Sequence, residues 1–247
     1  MRPCLNKSWL WLFCVLFSLS ACQTINRSNA ELGVKPSVFI FCFDDGPNAQ
    51  ADTTMRLLDV LKKYEIRAMF ALLGENVEAY PDLTRRIYNE GHIIVNHGFS
   101  DRWAVWMNEA EFKNNLIRAD AAITAALGKE LDPRLYQPHG GFYRSRQERI
   151  LREAGYNMTT VNIRVHDAVA TSADKDRIVR QVIEKVEKQN GGIILLHDGR
   201  DSHHRLKRKL EGNPHGAFDR SWIPAAVEEI IIGLKSRGFN SGFINPN

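Results

Sequence analysis

Two adjacent carboxylates, Asp44 and Asp45, stand where the apolar run Val38 to Phe43 gives way to Gly46 and Pro47. The apolar run reads as a buried strand, and the Gly-Pro pair as the sharp turn that ends it. Two like charges this close stay ionised away from water only when a cation or a proton offsets them. The pair therefore points to a metal site or to a shared-proton acid–base site. An exposed turn is the alternative, because Asp, Gly and Pro are turn residues in their own right.

Other polar residues fall at similar places. From Val38 onward, short apolar runs alternate with longer segments of helical period, the pattern of parallel strands with helical crossovers. Seven strands are expected, near 38–43, 67–73, 92–96, 134–138, 158–165, 192–197 and 240–244. Helices are expected over 53–64, 83–89, 109–127, 146–153, 174–188 and 222–237. The clearest is 109–127, with Phe112, Leu116, Ala119 and Ile123 on one stripe and a capping box from Asn108 and Glu111. The reading is a single α/β domain, a distorted (β/α) barrel of about seven parallel strands, with an open doubly wound sheet as the competing arrangement. Either places functional groups at the carboxyl ends of the strands. Asp44 and Asp45 end the first strand and His97 the third, while His139 follows the fourth, Asp167 the fifth and His197 with Asp198 the sixth.

The N-terminus reads as an export signal. Arg2 and Lys7 precede the apolar stretch Trp9 to Phe17, which falls short of the roughly 20 residues of a spanning helix. Leu19, Ser20 and Ala21 before Cys22 resemble a bacterial lipobox. That resemblance implies a signal over 1–21, lipidation of Cys22, a polar tether over 22–36 and a folded domain over 37–247 in the cell envelope. A flexible tether of this length would average roughly 20 Å. Cys42 is then the one cysteine of the folded domain. A net charge of +4, part of it from the N-terminus, gives no concentrated basic face and argues against nucleic acid. Arg200, His203, His204, Arg205, Lys207, Arg208 and Lys209 make a basic stretch, read as a solvated loop or a contact for anionic polymer or lipid headgroups.

From Val38 to Ile244 the chain resembles the polysaccharide deacetylases of carbohydrate esterase family 4, the NodB-homology domain. Phe43 to Pro47 matches the first motif of that family, and Gly192 to Asp198 the last. The resemblance implies Asp44 as general base, His197 as general acid and Asp167 as the carboxylate that orients His197. It implies a divalent metal on Asp45, most often Zn2+, with Mn2+, Co2+ or Ni2+ as other candidates. An oxyanion donor near His139, Tyr136 beside it on the substrate side and an acetyl-methyl pocket including Leu195 complete the expected site.

The second motif of the family has two histidines four residues apart, but here His97 is followed by Asp101. Aspartate is a competent ligand, so Asp45, His97 and Asp101 make the expected metal set. Tyr136 falls where the family has an arginine that steadies the base, and Arg134 or Arg164 is the expected substitute. Ala168 replaces a tryptophan, whose aromatic wall Trp103 and Trp106 would supply. The expected activity is metal-dependent removal of acetyl groups from an envelope carbohydrate polymer, foremost the N-acetyl of N-acetylhexosamine. The alternatives are a catalytically impaired carbohydrate-binding lipoprotein and a deacylase for O-acetyl or small amide substrates.

Overall fold

The computed structural model describes residues 23–24, 27–199 and 219–244. The signal 1–21, Cys22 and the basic stretch from Arg200 lie outside them. Strand β2 (Val38–Gly46) is the longest strand of the sheet among the described residues. It pairs in parallel with β3 (Met69–Leu72) and with β8 (Gly191–His197), which is why its residues are buried on both faces. Beyond β3 follow β4 (Ile93–Asn96), β5 (Arg134–Tyr136) and β7 (Tyr156–Met158). A short seventh strand, β9 (Asn240–Ser241), pairs with the start of β2.

The segment expected as one strand over 158–165 is split. Its first part continues β7 beside β5, whereas Ile163 forms a bridge to Ile194 of β8. One stretch of chain thus touches both edges of the sheet and closes it into a distorted barrel. Helices α1 (Thr53–Lys63), α3 (Pro81–Asn89), α4 (Glu109–Leu127), α5 (Ser145–Glu153) and α6 (Lys175–Gln189) have the expected places. So does α7 (Ile223–Lys235), while α2 (Gly74–Ala79) was not expected. The capping box of α4 is present in both directions, Asn108 Oδ1 accepting from Glu111 N and Glu111 Oε2 from Asn108 N.

Strand parity decides what faces the barrel interior. Phe39, Phe41 and Phe43 point to the helices and pack in sequence with ring centroids 5.6 Å apart, Phe39 edge-on to Phe41 and Phe41 stacked on Phe43. Ile40 and Cys42 point inward, against Met69, Ala71, Val95, Leu135, Ile193 and Leu195. Continuing that parity upward places Asp44, His97, Gln137 and His197 above one interior.

The chain before β2 is not a free tether. Val34 is buried in the interior cluster, and Asn29 Nδ2 donates to the carbonyl of Gln189 at 2.9 Å. Residues Gln23–Thr24 form a strand, β1, antiparallel to β6 (Phe142–Tyr143).

Candidate active site

Alternation would send Asp44 and Asp45 to opposite faces; a bulge in β2 prevents it. The register with β3 slips between Asp44 and Gly46, and Asp45 takes φ 68°, the left-handed region that ordinary residues avoid. Neighbouring backbone holds it there, with Asn76 Nδ2 donating to the Asp45 carbonyl at 2.7 Å and Leu73 N to that of Gly46 at 3.0 Å. Gly199 passes so close to the Asp45 carbonyl that a Cβ on it would lie 1.9 Å away. Both carboxylates consequently reach one cavity of about 540 Å³, whose lining includes Trp103, Phe142, Arg164, Val169 and Leu195.

Asp45, His97 and His139 bring ligand atoms within 4.8 Å of one another, all buried. The ring Nδ1 of His97 is fixed by the backbone carbonyl of Gln137 at 2.7 Å. Its Nε2 therefore faces Asp45 Oδ1 at 3.5 Å and Asp44 Oδ2 at 3.6 Å. Two ligands at about 2.1 Å from one tetrahedral ion stand roughly 3.4 Å apart, so this spacing fits a zinc-like cation. His139 stacks on His97 at 4.0 Å, and its two buried ring nitrogens have no hydrogen-bond partner. Orphaned imidazole nitrogens beside two carboxylates are what a metal would satisfy.

The expected ligand Asp101 is outside this group. The spacing of four would align it with His97 on a helical turn, but the chain there is irregular, and Gly98 at φ 87° turns it away. Its carboxylate stands 3.6 Å from His139 Nε2, at the edge of the cluster. Histidine and aspartate have in effect exchanged places: His139, expected only as an oxyanion neighbour, offers the third candidate ligand atom. A histidine directly after Gln137 and Pro138 was the signal that could have shown it.

Tyr136 is a second departure. Leu135 faces the interior, so by parity Tyr136 faces outward, where it packs edge-on against Phe112 at 5.7 Å and does not line the cavity. Gln137 takes the inward place and donates from Nε2 to Asp44 Oδ1 at 2.5 Å. Its Oε1 accepts from Thr159 Oγ1 at 3.1 Å and from the Cys42 thiol at 3.4 Å, which turns the amide nitrogen toward the carboxylate. Of the arginines considered, Arg134 pairs with Glu130 and lies beside another cavity. Arg164 lines the active-site cavity and donates to the Gly140 carbonyl at 2.6 Å. Trp103 forms a wall by stacking on Phe142, whereas Trp106 is outside the lining.

On the other side of the cavity, Asp167 Oδ1 receives His197 Nδ1 at 3.0 Å and Oδ2 receives His197 N at 2.8 Å. Arg220, 1% exposed, completes the clamp. Its Nη2 donates to Asp167 Oδ2 at 2.8 Å, its Nη1 to the Asp167 carbonyl at 3.0 Å and its Nε to the His197 carbonyl at 3.0 Å. Nothing in the sequence around Arg220 marked it. Asp198 points elsewhere, accepting from Thr54 in a buried setting that pushes its pKa up to about 7.

Electrostatics separate the two aspartates. Burial raises the pKa of Asp44, an effect that the positive charge of His97 and His197 and the Gln137 hydrogen bond only partly offset. Burial also opposes ionisation of Asp45, but contact with His97 and the charges of His197 and His139 outweigh it and hold Asp45 well below the usual carboxylate range. For His197 the burial penalty is exceeded by Asp167, and the pKa is raised to about 9. His97 likewise rises to about 9 because burial is outweighed by Asp44 and Asp45, the proton standing where a cation would.

Residues 32–159 match the polysaccharide deacetylase family model. The chain belongs to the polysaccharide deacetylase family. It is 30% identical over 196 residues to a peptidoglycan-N-acetylglucosamine deacetylase of Bacillus cereus, covering 79% of this chain and 62% of that protein. The crystal structure of the Bc1960 peptidoglycan N-acetylglucosamine deacetylase matches this deacetylase-family fold with a TM-score of 0.65 at 26% identity, covering 84% of this chain and 86% of that one. A family 4 acetyl xylan esterase from Clostridium thermocellum, solved with a cobalt ion, gives 0.64 at 26% identity, covering 83% and 87%.

Proposed function

We propose that this polysaccharide deacetylase homologue is a metal-dependent hydrolase that removes acetyl groups from an envelope carbohydrate, the N-acetyl of N-acetylhexosamine units foremost. The observation that carries the reading is the placement of a buried Asp45–His97–His139 group between two titratable residues of opposite role, Asp44 and His197. A divalent cation held by those three residues supplies Lewis acidity toward an acetyl carbonyl and makes a bound water more acidic. Asp44, whose raised pKa suits a base better than that of an ordinary aspartate, takes the proton of the attacking water. The backbone N–H of His139 is assigned to the developing oxyanion. His197, protonated through neutral pH and held by Asp167, delivers a proton to the leaving amine. Leu195, lining the cavity, takes the acetyl methyl.

Zn2+ leads among the cations, since two imidazoles and one carboxylate form a familiar hydrolytic zinc donor set. The likeness to the N-acetylglucosamine deacetylases supports an amide substrate, and that to the acetyl xylan esterase keeps O-acetyl groups in play. Attachment of the chain to an envelope membrane through lipid on Cys22 belongs to the same proposal and rests on the lipobox resemblance. The test is acetate release from chito-oligosaccharides and from acetylated xylan, with metal stripped and restored. Metal-dependent release from the first and not the second supports N-deacetylation; glycan binding with no release from either would replace the enzyme by a binding protein.

A further inference from the structure

We propose that the part of the cavity rim carrying Trp103, Trp106 and Val169 docks on a lipid surface, so that the cavity opens toward the membrane that holds the N-terminus. The inference rests on reading Cys22 as the lipid-bearing residue and names the setting in which this same active site meets its substrate. Two independent features carry it. The first is the path of the N-terminal chain: Gln23 pairs with Tyr143 and Thr24 with Phe142, and Phe142 lines the cavity. Thr24, the partner of Phe142, follows Cys22 by two residues, a separation that no chain can stretch beyond about 7 Å. A tether of roughly 20 Å would have let the domain tumble; the strand pairing removes that slack and brings the anchor to the rim.

The second feature is the exposed apolar surface at that rim. Trp103 stacks on Phe142 with centroids 5.5 Å apart and is still 41% exposed. Strand β6 packs against the turn Ala104–Trp106, where Trp106 is 74% exposed. Val169, on the turn after Asp167, lines the cavity and is 68% exposed. By contrast the exposed Ile117 and Ile232 stand singly on α4 and α7. Indole rings settle at the boundary of headgroups and acyl chains, with the apolar ring body shielded and the N–H wet. The anchor fixes the distance to the membrane, and the aromatic rim fixes the orientation. The substrate class that follows is an acetylated glycan presented close to lipid headgroups.

Spin labels on the full chain in lipid vesicles test this, one at Trp106→Cys and a control at Ile232→Cys, with Cys42 buried and unreactive. The expected result is position 106 shielded from an aqueous relaxation agent and exposed to oxygen in the bilayer, with position 232 the reverse. Mass spectrometry of the N-terminal peptide, with Cys22→Ser as control, scores lipid attachment separately. A lipid-bearing protein whose position 106 stays in water overturns the docking and leaves the anchor standing; absence of lipid overturns both. Shielding of position 106 only after chito-oligosaccharide is added identifies a glycan platform and also overturns it. As a surface change, Trp106→Ser should leave turnover of soluble chito-oligosaccharide within about twofold. On a membrane-presented acetylated glycan it should lower turnover about fivefold.

Discussion

The two sides of the cavity are built on different principles. His197 is held by an ionic clamp: Asp167 accepts four hydrogen bonds on its side chain and carbonyl from His197 and Arg220, and both Asp167 and Arg220 are buried. Asp44 Oδ1 is held by neutral groups, the Gln137 amide and the Cys42 thiol, with Thr159 and Cys42 orienting the amide, while the nearest cationic group, His97, stands 3.6 Å from Oδ2. A proton donor must keep its proton at neutral pH, and a charged partner does that. The proposed base must ionise yet still attract a proton, and the Gln137 amide orients it without adding a charge of its own.

The largest effect is expected from Asp44, the proposed base. Asp44→Asn keeps the shape and the Gln137 contact but removes the proton acceptor, and kcat should fall about 10³–10⁴-fold. Bound metal measured by atomic absorption should stay at the wild-type level, because the candidate ligand group is Asp45, His97 and His139. Activity within tenfold of wild type would remove Asp44 from the chemistry.

Next comes the pair that distinguishes His139 from Asp101. His139→Ala takes a ligand atom from the group and should abolish stoichiometric metal at micromolar concentration. Asp101→Asn leaves that group intact and should weaken metal about 10-fold, the cost typical of a residue behind a ligand. Equal losses in both would restore Asp101 to the ligand set.

That exchange shows where sequence reasoning reaches and where it stops. The barrel was legible because strand runs, helical stripes and the Asn108 cap are local, and each agrees with the next. The meeting of Asp44, Asp45, His97 and His197 at one cavity was legible because all four sit at strand ends. Spacing failed at Asp101, since i and i+4 share a face only on a helix and Gly98 breaks the chain there. Tyr136 failed by one step of strand parity, which the apolar content of 134–138 does not fix. Arg220 was out of reach: it lies 53 residues from Asp167, and only the closed fold joins them.

The acid side breaks at Arg220. Arg220→Met leaves the buried Asp167 carboxylate short of its cation and should cost about 3–5 kcal/mol of stability. Urea melts at pH 7 measure it, and a loss below 1 kcal/mol would mean that His197 alone satisfies Asp167. The pH dependence has a definite sign. His197 titrates near its ordinary value of 6.5 when unfolded and at about 9 when folded, so its stabilisation is complete below 6.5 and disappears as pH rises through 9. Asp167 is depressed by His197 and Arg220 against the opposing effect of burial, so its stabilisation is lost as pH falls below the carboxylate range. Wild-type melting temperature without metal should decline between pH 7 and 10, and His197→Gln should flatten that decline.

The smallest change tests the base side. Gln137→Leu removes the amide donor to Asp44 and leaves its burial in place, so the pKa of Asp44 should rise further. Because the base must be ionised to act, the acidic limb of kcat/KM moves to higher pH. The basic limb, set by deprotonation of His197 near 9, stays where it is. A hydrogen bond to a charged group contributes about 1.5–3 kcal/mol, so kcat at pH 7 should drop about 10–100-fold with KM little changed. Arg164, whose charge feels Asp44 across the cavity, is the competing support. An unmoved acidic limb in Gln137→Leu, together with a shifted one in Arg164→Met, would make the base side ionic after all and erase the contrast with the Arg220 clamp.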